Sequence, residues 1–334
     1  MAGHSPSVAV VTGGAGFIGS HMVDLLLGEG LEVRVLDNLS GGRLDNLSHH
    51  RGNSKLTVEV GDIRTIAIDT AMFKGAHYIF HFAGIGDIVP SIEKPSEYME
   101  VNVQGTVRMA EAARNAGVRK MVYAASSSCY GLASELPTNE HASIDTRYPY
   151  ALSKYQGEQV VLHWNQVYGL PVNSIRIFNA YGIRSRTSGA YGAVFGVFLA
   201  QKLAGKAFTV VGDGTQTRDF LYASDIARAF WLAGTTDNTG QVYNLGAGKP
   251  QTVNRLVELL GGPVVHVPKR PGEPDCTWAD ITKIRKELNW EPQIDFAEGV
   301  GRMIKNIEYW KQAPVWDTAS IQEATRTWFA FMKE

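Results

Sequence analysis

Short apolar runs rich in β-branched residues alternate with longer amphipathic segments through the first half of the chain. The short runs lie at 8–12, 32–36, 57–60, 77–82, 120–124 and 172–177, each about one helix length from the next. This spacing is typical of parallel strands joined by helical crossovers. It predicts an α/β fold with a doubly wound parallel sheet of the Rossmann type.

Segments between and after these runs carry apolar residues at every third or fourth position, which is the spacing of an amphipathic helix. The predicted helices are 19–30, 97–117 with Gly117 as a stop, 193–204, 224–233, 252–260 and 280–287. Loop-like segments separate the later helices: SRTSGAYG at 185–192, GDGTQT at 212–217 and PKRPGEPD at 268–275. We therefore predict a main domain from 7–178 plus about 222–245, and a smaller mixed α/β lobe from about 179–221 plus 246–334.

Composition narrows the class of protein. The 334 residues include 32 basic and 33 acidic side chains without a block of one sign, which argues against a nucleic-acid or membrane partner. Cys129 and Cys276 lie far apart without metal-ligand spacing, so we expect a reducing compartment, no disulfide framework and no metal site. The first residues, MAGHSPS, lack a signal-peptide pattern, and we expect a cytoplasmic protein.

The first apolar run leads directly into a glycine-rich turn and a helix. Gly13, Gly16 and Gly19 are three residues apart, a spacing that lets backbone N–H groups approach a pyrophosphate at a helix N-terminus. Asp37 ends the second run and predicts a hydrogen bond to an adenosine ribose, which favours NAD. Arg34 and Arg43 nearby leave NADP open. Asp62, after the third run, fits either an adenine contact or a solvated turn.

Tyr150 and Lys154 lie four residues apart on a predicted helix and therefore share one face. A nearby ammonium favours the phenolate of tyrosine, so this pair is suited to general base catalysis. Ser126 follows the fifth run and ends the predicted strand at the carboxyl edge of the sheet, where ligands bind. Ser127 and Ser128 follow it, and composition alone does not choose among the three serines.

These motifs together resemble the extended short-chain dehydrogenases. The segments are TGGAGFIG at 12–19, HFAG at 81–84, NVQGT at 102–106, SSSCYG at 126–131, YALSK at 150–154 and TRDFLYASD at 217–225. Within this family the chain is most similar to UDP-hexose 4-epimerases, also in HFAGIGDIVPSIEKPSEYMEVNVQGT and CTWADITKIRKELNW. The resemblance spans nearly the whole chain. It implies an enzyme that uses NAD to epimerise a nucleotide-linked sugar, with a UDP-hexose favoured.

The resemblance also implies individual roles. Ser126 matches the catalytic Ser/Thr, Tyr150 the base, Lys154 the lysine that activates the tyrosine and binds ribose, and Asn102 a structural asparagine beside that lysine. The expected NAD-binding residues are Gly13, Gly16, Phe17, Ile18, Gly19, Asp37, Asn38, Asp62, Ile63, Phe82, Ala83, Gly84, Asn102, Tyr150 and Lys154. The expected substrate-binding residues are Ser126, Ser127, Ser128, Asn179, Val194, Phe195, Val211, Arg218, Arg270 and Thr277.

Within this substrate set, Asn179 matches a diphosphate ligand, and Arg218 and Arg270 match two arginines that clamp the diphosphate. Val211 stands where relatives often stack an aromatic residue on uracil, and the segment beside the base reads GAVFGVF at 192–198, so the nucleotide base stays open. Thr277 stands where a bulky tyrosine restricts some epimerases to non-acetylated sugars, so its smaller side chain is compatible with a 2-acetamido group.

Ser127 and Ser128 are the two residues after the predicted catalytic Ser126. Related dehydratases have Asp-Glu at these two positions, and related decarboxylases have Glu at the second of them. This departure favours oxidation and re-reduction at one carbon, with Tyr150 taking the O4 proton. Two alternatives remain: a nucleotide-sugar dehydrogenase or keto-sugar-forming relative that reduces NAD, and a non-catalytic NAD-binding module. The resemblance further implies a homodimer through helices 97–117 and 150–168, and Trp164 and Tyr168 fit either that interface or the core.

Overall fold

The computed structural model describes residues 7–185 and 194–332. Its strands are β1 (Val8–Thr12), β2 (Glu32–Asp37), β3 (Leu56–Val60), β4 (Tyr78–His81), β5 (Lys120–Ser126), β6 (Val172–Ile177), β7 (Asn179–Tyr181), β8 (Phe208–Val211), β9 (Thr217–Arg218), β10 (Phe220–Tyr222), β11 (Gln241–Leu245), β12 (Gln251–Thr252) and β13 (Val264–Val267). Each of the six predicted short runs forms a strand.

A seven-stranded sheet has the order β11-β6-β5-β4-β1-β2-β3, and every neighbouring pair in it is parallel. The chain fills the β1-β2-β3 half first and then crosses back to β4, so the topological switch point lies between β1 and β4. In such sheets ligands bind in the crevice at the carboxyl edge beside the switch point. The predicted doubly wound fold is confirmed, and 241–245 supplies the outermost strand.

The helices lie on both faces of this sheet and beyond it. They are α1 (Phe17–Gly28), α2 (Ile88–Glu93), α3 (Pro95–Met99), α4 (Gly105–Ala116), α5 (Pro149–Tyr168), α6 (Val194–Leu203), α7 (Ala223–Thr235), α8 (Val253–Leu260), α9 (Thr282–Leu288), α10 (Phe296–Lys305) and α11 (Thr318–Phe331). One face packs against α1 and α7 through residues such as Val11 and Phe230. The opposite face packs against α4 and α5 through Val10 and Val161.

A third hydrophobic core lies outside the large sheet. Phe195 and Phe198 of α6 pack there with Phe208 of β8, Leu256 of α8 and Met303 of α10. These helices lie beside three two-stranded sheets, formed by β8 with β13, β7 with β10 and β9 with β12. We call this unit the second lobe. It combines helices with parallel and antiparallel strand pairs.

Several predicted elements differ from the structure. The helix expected at 97–117 is interrupted, because a π-helical turn at Glu100–Gln104 separates α3 from α4; Gly117 ends α4 with a φ of 62°. The predicted helices do not include α10 and α11. Residues 1–6 and 186–193, which include most of the SRTSGAYG segment and the start of GAVFGVF, lie outside the described residues. None of the helices within the described ranges combines the length and apolar character of a membrane span.

Candidate active site

A cavity of about 780 Å³ follows the carboxyl edge of the large sheet and extends to the second lobe. The predicted residues that line it are Gly13, Gly16, Phe17, Ile18, Gly19, Asp37, Asn38, Asp62, Ile63, Phe82, Ala83, Gly84, Ser126, Tyr150, Lys154, Asn179, Val194, Phe195, Val211, Arg218 and Arg270. Four predicted residues, Asn102, Ser127, Ser128 and Thr277, are not part of this lining.

The glycine-rich turn packs so closely that side chains are excluded from it. Gly13 has a φ of 70°, and a Cβ there would lie 2.7 Å from the backbone nitrogen of Ala83. A Cβ on Gly19 would lie 2.1 Å from the carbonyl oxygen of Gly13. Gly16 precedes α1 without a side-chain cap, so backbone N–H groups of the first helical turn remain available to an anion. This cradle fits the pyrophosphate of a dinucleotide.

Asp37 lies at the adenosine end expected of this cradle. Its carboxylate accepts hydrogen bonds from the backbone nitrogens of Ala15, at 3.0 Å, and Leu39, at 2.8 Å. Burial raises the pKa of Asp37, and these backbone N–H groups act in the opposite direction. Arg34 turns away to Glu32, and Arg43 lies over the ring of Tyr309; neither lines the cavity. Their placement is consistent with NAD rather than NADP.

Asp62 also lines this end of the cavity, but it is held by other side chains. Arg64 donates to both of its carboxylate oxygens, with Nη2 2.7 Å from Oδ2, and Asn38 Nδ2 lies 3.1 Å from Oδ2. The Arg64 hydrogen bonds lower the pKa of Asp62 well below its usual range. The aspartate therefore remains ionised, and the Asn38–Asp62 pair shapes the cavity wall.

Three polar side chains line the cavity where β5 ends beside the first turns of α5. Tyr150 and Lys154 are one helical turn apart, just after Pro149 begins α5. Ser126 is the last residue of β5, and its Oγ accepts a hydrogen bond from the backbone nitrogen of Ser128 at 3.2 Å. Of the three consecutive serines, Ser126 alone lines the cavity. The short 3₁₀ turn that follows β5 carries Ser127 and Ser128 out of the lining.

Lys154 is almost fully enclosed at the base of the cavity. Burial lowers the pKa of its ammonium to about 7, and the charge of Glu158 acts in the opposite direction. The Tyr150 ring lies edge-on to Tyr98, with centroids 6.3 Å apart, and stacks beside Tyr148 at 6.4 Å. The Tyr150 ring is therefore flanked by Tyr98 of α3 and by Tyr148, which immediately precedes α5.

Asn102 lies in the π-helical turn and holds the loop after β4. Its side chain accepts from the nitrogen of Ile85 at 2.8 Å and donates to the carbonyl of Ile85 and the hydroxyl of Ser153, both at 2.9 Å. A Cβ on Gly84 would lie 2.9 Å from Asn102 Oδ1 and 3.7 Å from Lys154 Nζ. Asn102 thus fixes the backbone beside the lysine from behind the cavity wall.

Two arginines lie together at the end of the cavity formed by the second lobe. Arg218 Nη2 lies 2.8 Å from one carboxylate oxygen of Glu273, and Arg270 Nη1 lies 3.6 Å from the other. Asn179 lines the same region, and its Oδ1 accepts a hydrogen bond from the Thr277 hydroxyl at 2.6 Å. Thr277 therefore lies behind Asn179 and occupies the amide oxygen of Asn179.

Comparison with known proteins identifies the family of this site. Residues 9–246 match the family described as NAD dependent epimerase/dehydratase family. The chain belongs to this family. It is 37% identical over 306 residues to a UDP-glucose 4-epimerase of Mycolicibacterium smegmatis, which covers 89% of this chain and 97% of the relative. It is 35% identical over 303 residues to a putative UDP-glucose 4-epimerase of Methanocaldococcus jannaschii, covering 88% and 96%.

A solved structure shows that the similarity to known members of this family includes the fold. A UDP-N-acetylglucosamine 4-epimerase from Methanobrevibacter ruminantium, in complex with UDP-N-acetylmuramic acid, superposes with a TM-score of 0.85. It is 30% identical and covers 91% of this chain and 100% of its own. Other relatives are named dTDP-glucose 4,6-dehydratase and UDP-glucuronic acid decarboxylase, so the family establishes nucleotide-sugar chemistry with NAD and leaves the reaction to be decided.

Sequence reasoning missed several cavity residues of this epimerase/dehydratase. Glu273 contacts Arg218 and Arg270. It follows Arg270 by three residues, but the segment is a Pro- and Gly-rich loop and not a helix. The spacing alone therefore does not indicate that these side chains lie together. Tyr98 of α3 and Ile321 of α11 also line the cavity. Ile321 belongs to a helix that packs against α2 from more than two hundred residues away in sequence, and no local pattern encodes that packing.

Proposed function

We propose that this chain is an NAD-dependent 4-epimerase of a nucleotide-linked hexose, with UDP-glucose and UDP-galactose or their N-acetyl forms as favoured substrates. One observation carries the proposal: Ser126, Tyr150 and Lys154 line the same cavity as the glycine-rich turn at one end and the Arg218–Arg270 pair at the other. A nucleotide sugar and a dinucleotide placed in these two parts would bring sugar and nicotinamide together beside Tyr150.

The proposed chemistry is a reversible proton transfer at the sugar O4. Tyr150 takes the O4 proton, the Lys154 ammonium stabilises the resulting phenolate, and the Ser126 hydroxyl holds O4 in place. When bound, NAD supplies the hydride acceptor and donor for C4. Arg218, Arg270 and Asn179 hold the diphosphate while the 4-keto ring turns over, and Tyr150 returns the proton to the opposite epimer.

Epimerisation is favoured over elimination by the residues that follow Ser126. The positions that hold acids in related dehydratases and decarboxylases hold Ser127 and Ser128, which the 3₁₀ turn carries out of the cavity lining. Val194, Phe195 and Val211 give the nucleotide-base region an apolar wall. Thr277 lies behind Asn179 and does not line the cavity. Its small side chain therefore does not contact a 2-acetamido group directly, and it acts on the substrate pocket only through Asn179.

We further propose that the protein is cytoplasmic. We also propose that it forms a homodimer through α4 and α5. Val167 and Tyr168, on the last turn of α5, are 53% and 51% exposed, whereas Trp164 packs against the core around Val161 and bonds Glu111. Arg114 of α4 lies over the Tyr168 ring, 5.1 Å from its centroid. Apolar side chains exposed on an otherwise packed helix pair support a subunit contact. Light scattering of wild type and a Tyr168→Glu variant tests it.

A panel of UDP-, dTDP-, GDP- and CDP-linked hexoses, hexosamines and hexuronates, incubated with the enzyme and NAD, tests the proposed activity. NMR is expected to show inversion at C4 with no accumulation of NADH absorbance. Stoichiometric NADH would instead identify a dehydrogenase or keto-sugar-forming enzyme. Intact NAD binding with no turnover of any panel member would favour the non-catalytic module.

A further inference from the structure

Tyr123 lies in the middle of β5, directly beneath the lysine of the proposed catalytic set. The residue is fully buried, and Lys154 Nζ lies 4.5 Å from the centroid of its ring. Its hydroxyl donates a hydrogen bond to the backbone carbonyl of Lys154 at 3.2 Å. The ring and the hydroxyl therefore contact the same residue at two points, one at the ammonium and one at the helix backbone.

Gly157 shows how closely α5 packs on this tyrosine. A Cβ at position 157 would lie 2.2 Å from Tyr123 Oη and 2.9 Å from the carbonyl oxygen of Asn102. Glycine within a helix is unfavourable relative to alanine, so its presence here needs a packing reason. The tyrosine hydroxyl supplies that reason, and it fixes the ring under Lys154.

No carboxylate neutralises Lys154 within the described part of the chain. Glu158 lies one turn further along α5, but both of its oxygens bond Arg176, at 2.6 and 3.0 Å, and one also accepts from Ser174. From β4, His81 is held between the hydroxyls of Thr12 and Thr106, and burial lowers its pKa to about 3. Tyr150 lies one turn before Lys154 on α5, and the His81 imidazole, which feels the Lys154 charge, is neutral.

The negative face of an aromatic ring attracts an ammonium group, and more strongly where water is excluded. We propose that Tyr123 is a positioning residue whose ring stabilises the ammonium form of Lys154 and thereby controls the ionisation of Tyr150. The proposal rests on the proposed function of the Tyr150–Lys154 pair. Without the ring, the Lys154 ammonium would lose its proton at a lower pH, and less of it would remain to stabilise the tyrosinate. Because the two groups titrate as a coupled pair, the tyrosinate would then form at a higher pH.

The test follows Tyr150 ionisation by tyrosinate absorbance in the NAD-bound protein, with the matching Tyr150→Phe protein subtracted to remove the other tyrosines. Tyr123→Phe keeps the ring and should leave the midpoint nearly unchanged. Tyr123→Leu should raise it by roughly one pH unit, since an aromatic face under a desolvated ammonium is worth about a tenfold change in equilibrium. The pH profile of kcat should shift in the same direction, with NAD affinity retained.

Fluorinated phenylalanines at position 123 keep the ring's shape and weaken its negative face, which guards against a Leu variant that fails to fold. The midpoint should rise progressively from phenylalanine to its mono- and trifluorinated forms. Equal midpoints across this series, or across Tyr123→Phe and Tyr123→Leu, would overturn the proposal. The titration needs no sugar, so absence of epimerase turnover in wild type would refute the proposed function separately.

Discussion

The contacts of Arg218 and Arg270 with a single carboxylate explain how two guanidinium groups remain side by side in the cavity. Glu273 offsets their mutual repulsion, and both arginine side chains are largely buried. A planar guanidinium presents a fork of donors that matches phosphate oxygens, and a lysine cannot reproduce it. At the scale of single residues, geometry as well as charge therefore decides binding.

Arg218→Lys is expected to raise KM for the nucleotide sugar about 10- to 100-fold, which corresponds to losing one charge-assisted hydrogen bond. The change in kcat should be much smaller, because the diphosphate contact serves the ground state and the transition state alike. Steady-state kinetics measures both constants. Arg255→Lys, at an exposed arginine paired with Glu258 on α8, is the matched control. A loss confined to kcat would contradict a diphosphate role.

A site residue is predictable from the sequence when its neighbours are close in sequence, and it is not predictable when its contacts come from distant segments. The sequence predicts that Gly13, Asp37, Tyr150 and Lys154 share a site, and all four line the cavity, because a strand end or a helical turn fixes their neighbours locally. The choice of Ser126 over the next two serines depends on the 3₁₀ turn after β5, which composition does not encode. The placement of Thr277 behind Asn179 depends on a contact across 98 positions, and no spacing rule reaches that far.

Among the elements, α5 and β5 together carry the side chains proposed to be catalytic, and their packing depends on a small residue at the contact. Gly157→Ala places a methyl group against Tyr123 Oη, and overpacking of this kind destabilises a fold by about 1–3 kcal/mol. Thermal unfolding should show the loss, and adding Tyr123→Phe should restore part of it. Gly28→Ala, at a helical glycine with open space around it, should have little effect. A neutral Gly157→Ala would contradict this packing.

Elements of the large sheet were predictable because buried parallel strands appear as continuous apolar runs. The interruption of the 97–117 helix was not, since apolar spacing continues through the π-helical turn and the break is defined by the contacts of Asn102. Helix α10 places its buried residues Val300 and Met303 three positions apart, a helical spacing that makes this helix predictable from the sequence. Helix α11 depends on packing against α2, to which no local sequence pattern points.

For the molecule as a whole, a buried network joins the glycine-rich helix to the chain leaving β7. Arg184 donates to Asp24 and to Nδ1 of His21, and His21 Nε2 donates to the carbonyl of Ile183. Both imidazole nitrogens are thus engaged in the neutral form. Burial and the Arg184 charge lower the pKa of His21 to about 4. Burial raises the pKa of Asp24, but the Arg184 hydrogen bond and charge outweigh it and bring it to about 2.

Because the pKa of His21 is lower in the folded protein than the 6.5 of a free side chain, its contribution to stability is complete above that pH and is lost as pH falls towards 4. The loss reaches at most about 3 kcal/mol. Urea unfolding of wild type and His21→Gln across this range should show a steeper acid loss in wild type. His141→Gln, at an exposed histidine, should follow wild type. Parallel curves for wild type and His21→Gln would contradict the assignment.

If the Tyr150 phenol performs the proton transfer at O4 of a nucleotide sugar, removal of its hydroxyl must stop inversion at C4. The most direct measurement is C4 inversion, followed by NMR, in wild type and Tyr150→Phe at equal NAD occupancy. Loss of inversion by at least two orders of magnitude with NAD still bound is the predicted result, in line with the usual contribution of a general acid–base group. Inversion at a near wild-type rate in Tyr150→Phe would contradict the account.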